Sequence, residues 1–122
     1  MFVTGGAVKP SLGFLSTILG GEPTKSMFWY DIEEDRWEQG MEMNQFRVEH
    51  SSCVLGDKLY IFGGWTNATS EINCIEETNC FDVINGHGRW YLHHIDSSII
   101  PSRFNCLFHP INDHELAILG GK

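Results

Sequence analysis

The residues of this chain that could do chemistry are its histidines, serines, cysteines and carboxylates. His50 stands beside Ser51 and Ser52, with His93 and His94 farther on. A hydrolytic set can be drawn from Ser51, Ser52, His50 and His94 on paper. Without a strained G-x-S-x-G nucleophile turn, however, nothing raises one serine above another. The run Glu33-Glu34-Asp35-Arg36 holds three carboxylates. No second group is set across a cleft from them, and a solvated turn between two strands accounts for the run. Cys53, Cys74, Cys80 and Cys106 contain no C-x-x-C pair. They read as buried or half-buried thiols of a reducing compartment. A Cys74–Cys80 disulfide or a zinc site drawing on His93 and His94 stays open as an alternative, although the spacings match no common zinc pattern. Neither metal nor cofactor is assigned.

Composition narrows the class of partner. The 122 residues are 42% hydrophobic and 12% aromatic, enough to bury one modest core. A formal charge of −8, with only 8 Lys and Arg, gives no basic stripe for a phosphate backbone. Nucleic acid is therefore not an expected partner. No run approaches the roughly 20 apolar residues of a membrane helix, and the N-terminus lacks a basic n-region with an apolar h-region. Neither a membrane partner nor export is expected, and the cytoplasm is the expected compartment.

The elements that must position these residues are short strands. Phe2-Val3-Thr4 is stopped by Gly5-Gly6, and a Gly- and Pro-punctuated stretch, residues 7–26, follows. That stretch is not polar. Leu12, Leu15 and Leu19 fall at helical spacing behind Ser11, so one helical turn or a folded-back lobe is expected there. The aromatic run Met27-Phe28-Trp29-Tyr30-Asp31 and the segment opened by Trp37 read as two strands around the acidic turn. Residues 50–55 and 59–62 form a hairpin about Gly56-Asp57-Lys58. Leu59, Tyr60, Ile61 and Phe62 are apolar on both faces, so this strand must be covered on both sides. A radial stack of small sheets does that, whereas a two-layer sandwich covers one face. A third strand over residues 74–83, a turn near Gly86 and a fourth strand over 89–95 complete an antiparallel meander. Residues 103–108 and 116–119 begin another.

The chain repeats. The glycine pairs begin at Gly5, Gly63 and Gly120, spaced by 63 − 5 = 58 and 120 − 63 = 57 residues. Arg47 and Arg103 are 103 − 47 = 56 apart, and Trp37 and Trp90 are 90 − 37 = 53 apart. Several marker types recurring in one order signal a repeat architecture with about two units present. These residues resemble the kelch motif. The match lies in Arg47 and His50 ahead of a hairpin, a hydrophobic strand closing in Gly63-Gly64, the aromatic-Asp pairs Tyr30-Asp31 and Phe81-Asp82, and the strand-opening Trp37 and Trp90. The resemblance implies an all-β chain of kelch-type β-propeller blades, each a four-stranded antiparallel meander. It also makes Gly5, Gly6, Gly63, Gly64, Gly120, Gly121, Tyr30, Trp37, Phe81 and Trp90 packing markers.

The expected units are a partial blade over 1–46 carrying the inserted loop 7–26, a complete blade over 47–102, and the first hairpin of a further blade over 103–122. Cys106 departs from the pattern, standing where the repeat has His50. Propellers close with about four to eight blades, so an incomplete ring is expected. A piece of a longer propeller is the favoured reading, because Met1 falls inside a strand and Lys122 follows a glycine pair. Assembly with further blades or self-association is the alternative.

In a meander, the first-to-second and third-to-fourth turns share one end of the blade. The long connections (7–26, 38–46, 65–73 and 96–102) therefore share the other end, where function on a repeat scaffold resides. Candidate partner-binding residues are Phe14, Leu15, Trp65, Asn67 and Arg47, with Arg103 as the equivalent of Arg47. The two arginines could instead tie strands together. Asn67-Ala68-Thr69 is a glycosylation sequon with meaning only on a secretory route. The resemblance implies a non-enzymatic protein-interaction module, a scaffold or the substrate-recognition propeller of a ubiquitin ligase adaptor. The alternative is a propeller segment of a galactose-oxidase-like copper enzyme, a fold similar to kelch. Such a site gathers tyrosines, histidines and a cysteine, while Tyr30 and Tyr60 are expected to be buried in strands.

Overall fold

A computed structural model describes residues 2–5, 7–8, 22–67, 70–101 and 106–121. Its main sheets follow one another along the chain, as a radial array requires. The first sheet joins β1 (Phe2–Thr4), β4 (Met27–Asp31) and β5 (Arg36–Gln39) in the order β1-β4-β5, all antiparallel. Between β1 and β4, β2 (Ala7–Val8) pairs with β3 (Glu22–Pro23), so the inserted stretch leaves and re-enters through a short two-stranded stem. The helical turn expected at Leu12, Leu15 and Leu19 lies outside the described residues.

The acidic run does form the β4–β5 turn. The Asp31 Oδ1 accepts from the amides of Glu33 and Glu34 at 3.0 and 3.1 Å, an Asx-type closure, and Asp35 takes the left-handed backbone at φ 50. The Tyr30 hydroxyl donates to Asp35 across the same turn.

The second sheet is a four-stranded meander of β6 (Ser51–Leu55), β7 (Lys58–Phe62), β10 (Cys74–Asn79) and β11 (Tyr91–His94), ordered β11-β10-β7-β6. Between β7 and β10 a small hairpin pairs β8 (Trp65–Asn67) with β9 (Ser70–Glu71). The third strand is shorter than the sequence suggested. Asn79 caps a helix, α1 (Cys80–Asn85), by accepting the Phe81 amide at 2.8 Å, and Gly86 at φ 87 closes it. Residues 80–83 thus leave the sheet. The helical turn sends Val83 fully into the core and leaves Phe81, expected as a packing marker, 67% exposed. Beyond the second sheet, β12 (Leu107–Pro110) pairs with β13 (Leu116–Leu119).

The core lies between the first two sheets. Met27, Met41, Met43, Leu59, Ile61 and Val83 are buried together, with Phe2, Cys80 and Trp90 against them. Methionines fill the irregular wedge between converging sheets, for which their unbranched chains are suited. On the other side of β7, Phe62 is fully buried and its ring lies 5.9 Å from that of Phe108 on β12. Strand β7 is therefore covered on both sides at Leu59, Ile61 and Phe62, as its doubly apolar pattern demands. Tyr60 is the exception and stays half-buried, since the β12–β13 hairpin packs beside the edge strand β6 rather than over the whole sheet.

Candidate functional site

The two ends of the second sheet differ in kind. At one end the β6–β7 turn meets the start of α1, with the Cys80 amide donating to the Asp57 carbonyl at 2.9 Å. At the other, the connector entering the sheet is clamped between two hairpins. The Arg47 amide donates to Thr24 at 3.2 Å on one side, while Val48 and Trp65 exchange reciprocal backbone bonds of 3.0 Å on the other. The loop-rich end is therefore held by backbone bonds rather than left to swing.

Side chains on this end combine aromatic surface with carboxylates. Phe46 is 47% exposed, and the Lys25 Nζ sits 5.3 Å from its ring centroid and 3.5 Å from the Glu42 carboxylate. The Trp65 Nε1 donates to Glu49 Oε2 at 3.0 Å. Glu49 adopts φ 54, a conformation uncommon for a residue with a Cβ. The Asn73 side-chain amide donates to the carbonyls of Ile95 and Ile100 at 3.4 and 3.2 Å, tying the next connector down. Ile99 stands 75% exposed on that connector. Apolar anchors in a polar surround are what a protein contact uses.

Arg47 does not belong to this surface. Its side chain is fully buried, donating from Nη1 to the Gly63 carbonyl at 2.7 Å and from Nη2 to Cys74 Sγ at 3.5 Å. Nη2 also lies 3.2 Å from the fully buried Glu76 carboxylate, at an angle where charge rather than a hydrogen bond acts. Asn44 donates to the other Glu76 oxygen at 3.2 Å. Partner contact through Arg47 is therefore corrected. The side chain fastens the entering connector to the ends of β7 and β10, because a guanidinium is long enough to satisfy several acceptors at once.

His50 is equally structural. Its Nε2 lies 2.7 Å from the Thr4 hydroxyl on the neighbouring sheet. A Cβ on Gly5 would approach His50 Cε1 to 2.7 Å, and one on Gly64 would come within 2.4 Å of the Val48 carbonyl and 2.9 Å of His50 Cβ. Each glycine also has positive φ, so the pair makes room for the imidazole on both sides. Burial, reinforced by Arg47, lowers the His50 pKa to about 4. Burial likewise pushes Cys53 up to about 11, a thiol quiet at neutral pH.

The remaining sequence candidates divide. Trp65 is on the loop-rich end and Asn67 closes β8 there, whereas Phe14, Leu15 and Arg103 lie outside the described residues. Phe46, Lys25 and Ile99 were missed; a lone aromatic in a polar connector was the available signal for Phe46. Ser51 donates to the Cys106 carbonyl and His94 is on the outermost strand β11, so no hydrolytic set converges. The four cysteines are free thiols, and among the described residues no three His, Cys, Asp or Glu side chains come together as a metal set. Tyr30 and Tyr60, expected buried, are each part-exposed and lie on different sheets.

Known proteins share this arrangement. The Kelch motif family matches residues 47–84. Kelch-like protein 36 of Bos taurus is 34% identical over 64 residues, which is 52% of this chain and 9% of that protein. A solved structure titled "Structure of YjhT" superposes with a TM-score of 0.61 at 17% identity, covering 80% of this chain and 27% of that one. The chain thus spans a small part of either relative. With the markers, the meander and these likenesses in agreement, the chain carries a kelch motif at residues 47–84 and forms about two blades of β-propeller type, short of a closed ring among the described residues.

Proposed function

We propose that the chain is a non-enzymatic protein-interaction module that holds a protein partner on its loop-rich end, with residues 1–46, 47–102 and 103–122 as its repeat units. The observation that carries this reading is the connector at Phe46–Val48, locked by backbone bonds between two hairpins while Phe46 and Trp65 are carried beside it. Rigid presentation lowers the entropy lost on binding, and aromatic anchors supply most of the energy of such contacts. Trp65, Asn67 and Phe46 are the docking residues of this reading, and Phe14, Leu15 and Arg103 are added to them on the sequence pattern alone.

A scaffold and the recognition part of a ubiquitin ligase adaptor both fit this role. Four free thiols suit the reducing cytoplasm. No helix among the described residues is long and apolar enough to cross a membrane. The test is site-specific photocrosslinking in cells. A crosslinker at position 46 should trap a discrete partner, and one at position 57, on the opposite end, should not. Phe46→Ala with Trp65→Phe should weaken trapping by a crosslinker at position 45 at least about ten-fold while circular dichroism shows the chain still folded. Equal trapping from both ends, or trapping that survives the double change, would overturn the assignment.

A further inference from the structure

A groove of about 320 Å³ opens at the turn end of the molecule, between the first sheet and α1. Phe2 and Trp29 are paired across β1 and β4, and Asp31 follows Trp29 two positions on. Strand alternation therefore puts all three on the trailing side, which meets the second sheet, while Phe28 and Tyr30 take the leading face. Ile84, in the last turn of α1, forms the opposite wall, and Ile32 and Glu33 of the β4–β5 turn form the lip. Both walls come from consecutive blades of this chain. The groove opens between them at their turns and not on the flank of an end blade.

The two walls are fixed relative to each other. The Met41 amide donates to the Val83 carbonyl at 3.0 Å, which ties the exit of the first sheet to α1. Gly40 permits this approach, since a Cβ there would come within 2.6 Å of the Val83 carbonyl oxygen. A groove held in shape beforehand loses little freedom when it is filled.

Its chemistry is apolar beside negative. Ile32 and Ile84 are 79% and 43% exposed, while Asp31, Glu33, Glu34 and Asp35 crowd one turn. Arg36, the cation next to them in sequence, is engaged by Glu38 at 2.7 Å. Among the described residues Asp31, Glu33 and Glu34 form no ion pair. The formal charge of −8 adds to the local field. An occupant that matches both features carries an apolar side chain and a positive charge side by side.

We propose that this groove holds a short basic segment of a protein partner, a bulky apolar side chain entering between Ile32 and Ile84 while a neighbouring lysine or arginine meets Asp31 and Glu33. The carboxylates alone would attract any cation; the apolar wall selects one with a hydrophobic neighbour. This contact is separate from the loop-rich end and stands or falls without it. Asp57 lines a different hollow with Phe81 and Asp82, so a crosslinker at position 57 does not touch the groove.

NMR titration of the full chain tests the assignment. The probe is a peptide of lysine-leucine-lysine between pairs of glycines. Added to about 5 mM, it should shift the Ile32, Glu33 and Ile84 amides and the Trp29 indole N–H together, with a Kd of about 1 mM or below. Replacing its leucine by serine, or its lysines by glutamates, should weaken binding at least about five-fold. Ile32→Ser with Ile84→Ser, and Glu33→Lys with Glu34→Lys, should each do the same from the other side. All four positions are exposed, so the fold should survive, which circular dichroism would verify. No shift, shifts centred elsewhere, equal binding of the glutamate peptide, or unchanged affinity in either variant would overturn the proposal.

Discussion

At the scale of single residues, the conspicuous side chains of the repeat hold the molecule together. Arg47 and Glu76 are both fully buried and meet at 3.2 Å, with Gly63, Cys74 and Asn44 completing the cluster. A buried pair of this kind adds modestly to stability against an apolar alternative, but removing one partner strands the other charge. Arg47→Met should therefore cost about 3–5 kcal/mol in urea unfolding, and Arg47→Met with Glu76→Leu should recover a large part of the loss. A double variant no more stable than the single one would show that the ion pair is not the source of the cost.

His50 gives the fold a pH dependence with a defined sign. Its pKa is lowered from 6.5 to about 4 in the folded chain, so below 6.5 the unfolded chain binds the proton that the folded one refuses. The stabilisation is complete above pH 6.5 and is lost progressively as pH falls toward 4, by on the order of 2–3 kcal/mol from this group. The difference in unfolding free energy between the parent chain and His50→Gln should shrink over that window. A difference constant from pH 7 to pH 4 would refute the linkage.

At the scale of elements, α1 is the piece the repeat pattern concealed. Phe81-Asp82 reads as the end of a strand by analogy with Tyr30-Asp31, where the strand does continue to Asp31. In the second unit Asn79 intervenes as a cap, and the helical turn that follows carries Val83 into the core. Capping residues are local signals, but whether a turn of helix forms depends on the burial of Val83, which is a tertiary matter. Asn79→Ala should cost about 1 kcal/mol by losing the accepted Phe81 amide. The measurement is the shift in the chemical denaturation midpoint at unchanged slope; no shift would mean that packing alone holds α1.

For the molecule as a whole, the arrangement of the sheets bears on the choice between binding module and oxidase. Tyr30 sits on the leading face of the first sheet, while Tyr60 sits on the second sheet beside Glu77 and Cys53, its cross-strand partners. Tyr91 pairs with Glu77 and so shares the face of Tyr60 and Cys53, whereas Tyr30 is on a different sheet, and no three His, Cys, Asp or Glu side chains among the described residues form a metal set. Copper titration should give no stoichiometric uptake and no new absorption band; stoichiometric uptake with a new band would revive the oxidase reading.

The repeat spacing, the strand alternation and the glycine pairs were legible in the sequence because they obey short-range rules of backbone geometry. They were enough for the sheet order, the two-sided burial of β7 and the acidic turn. The proposed docking face was legible in part. Trp65 could be named from its place in a long connection, whereas Phe46 could not, since its exposure depends on the hairpins that pin the chain on either side. Arg47 was misplaced for the opposite reason: its acceptors come from residues 16 and more positions away, and no local pattern shows that they converge. Trp37 and Trp90 make the distinction plainest. The sequence determines both as strand-opening tryptophans of one repeat, but Trp90 is packed against a preceding blade and Trp37 is half open to solvent. Burial belongs to the neighbour as much as to the residue, and only the tertiary structure says which neighbours are there.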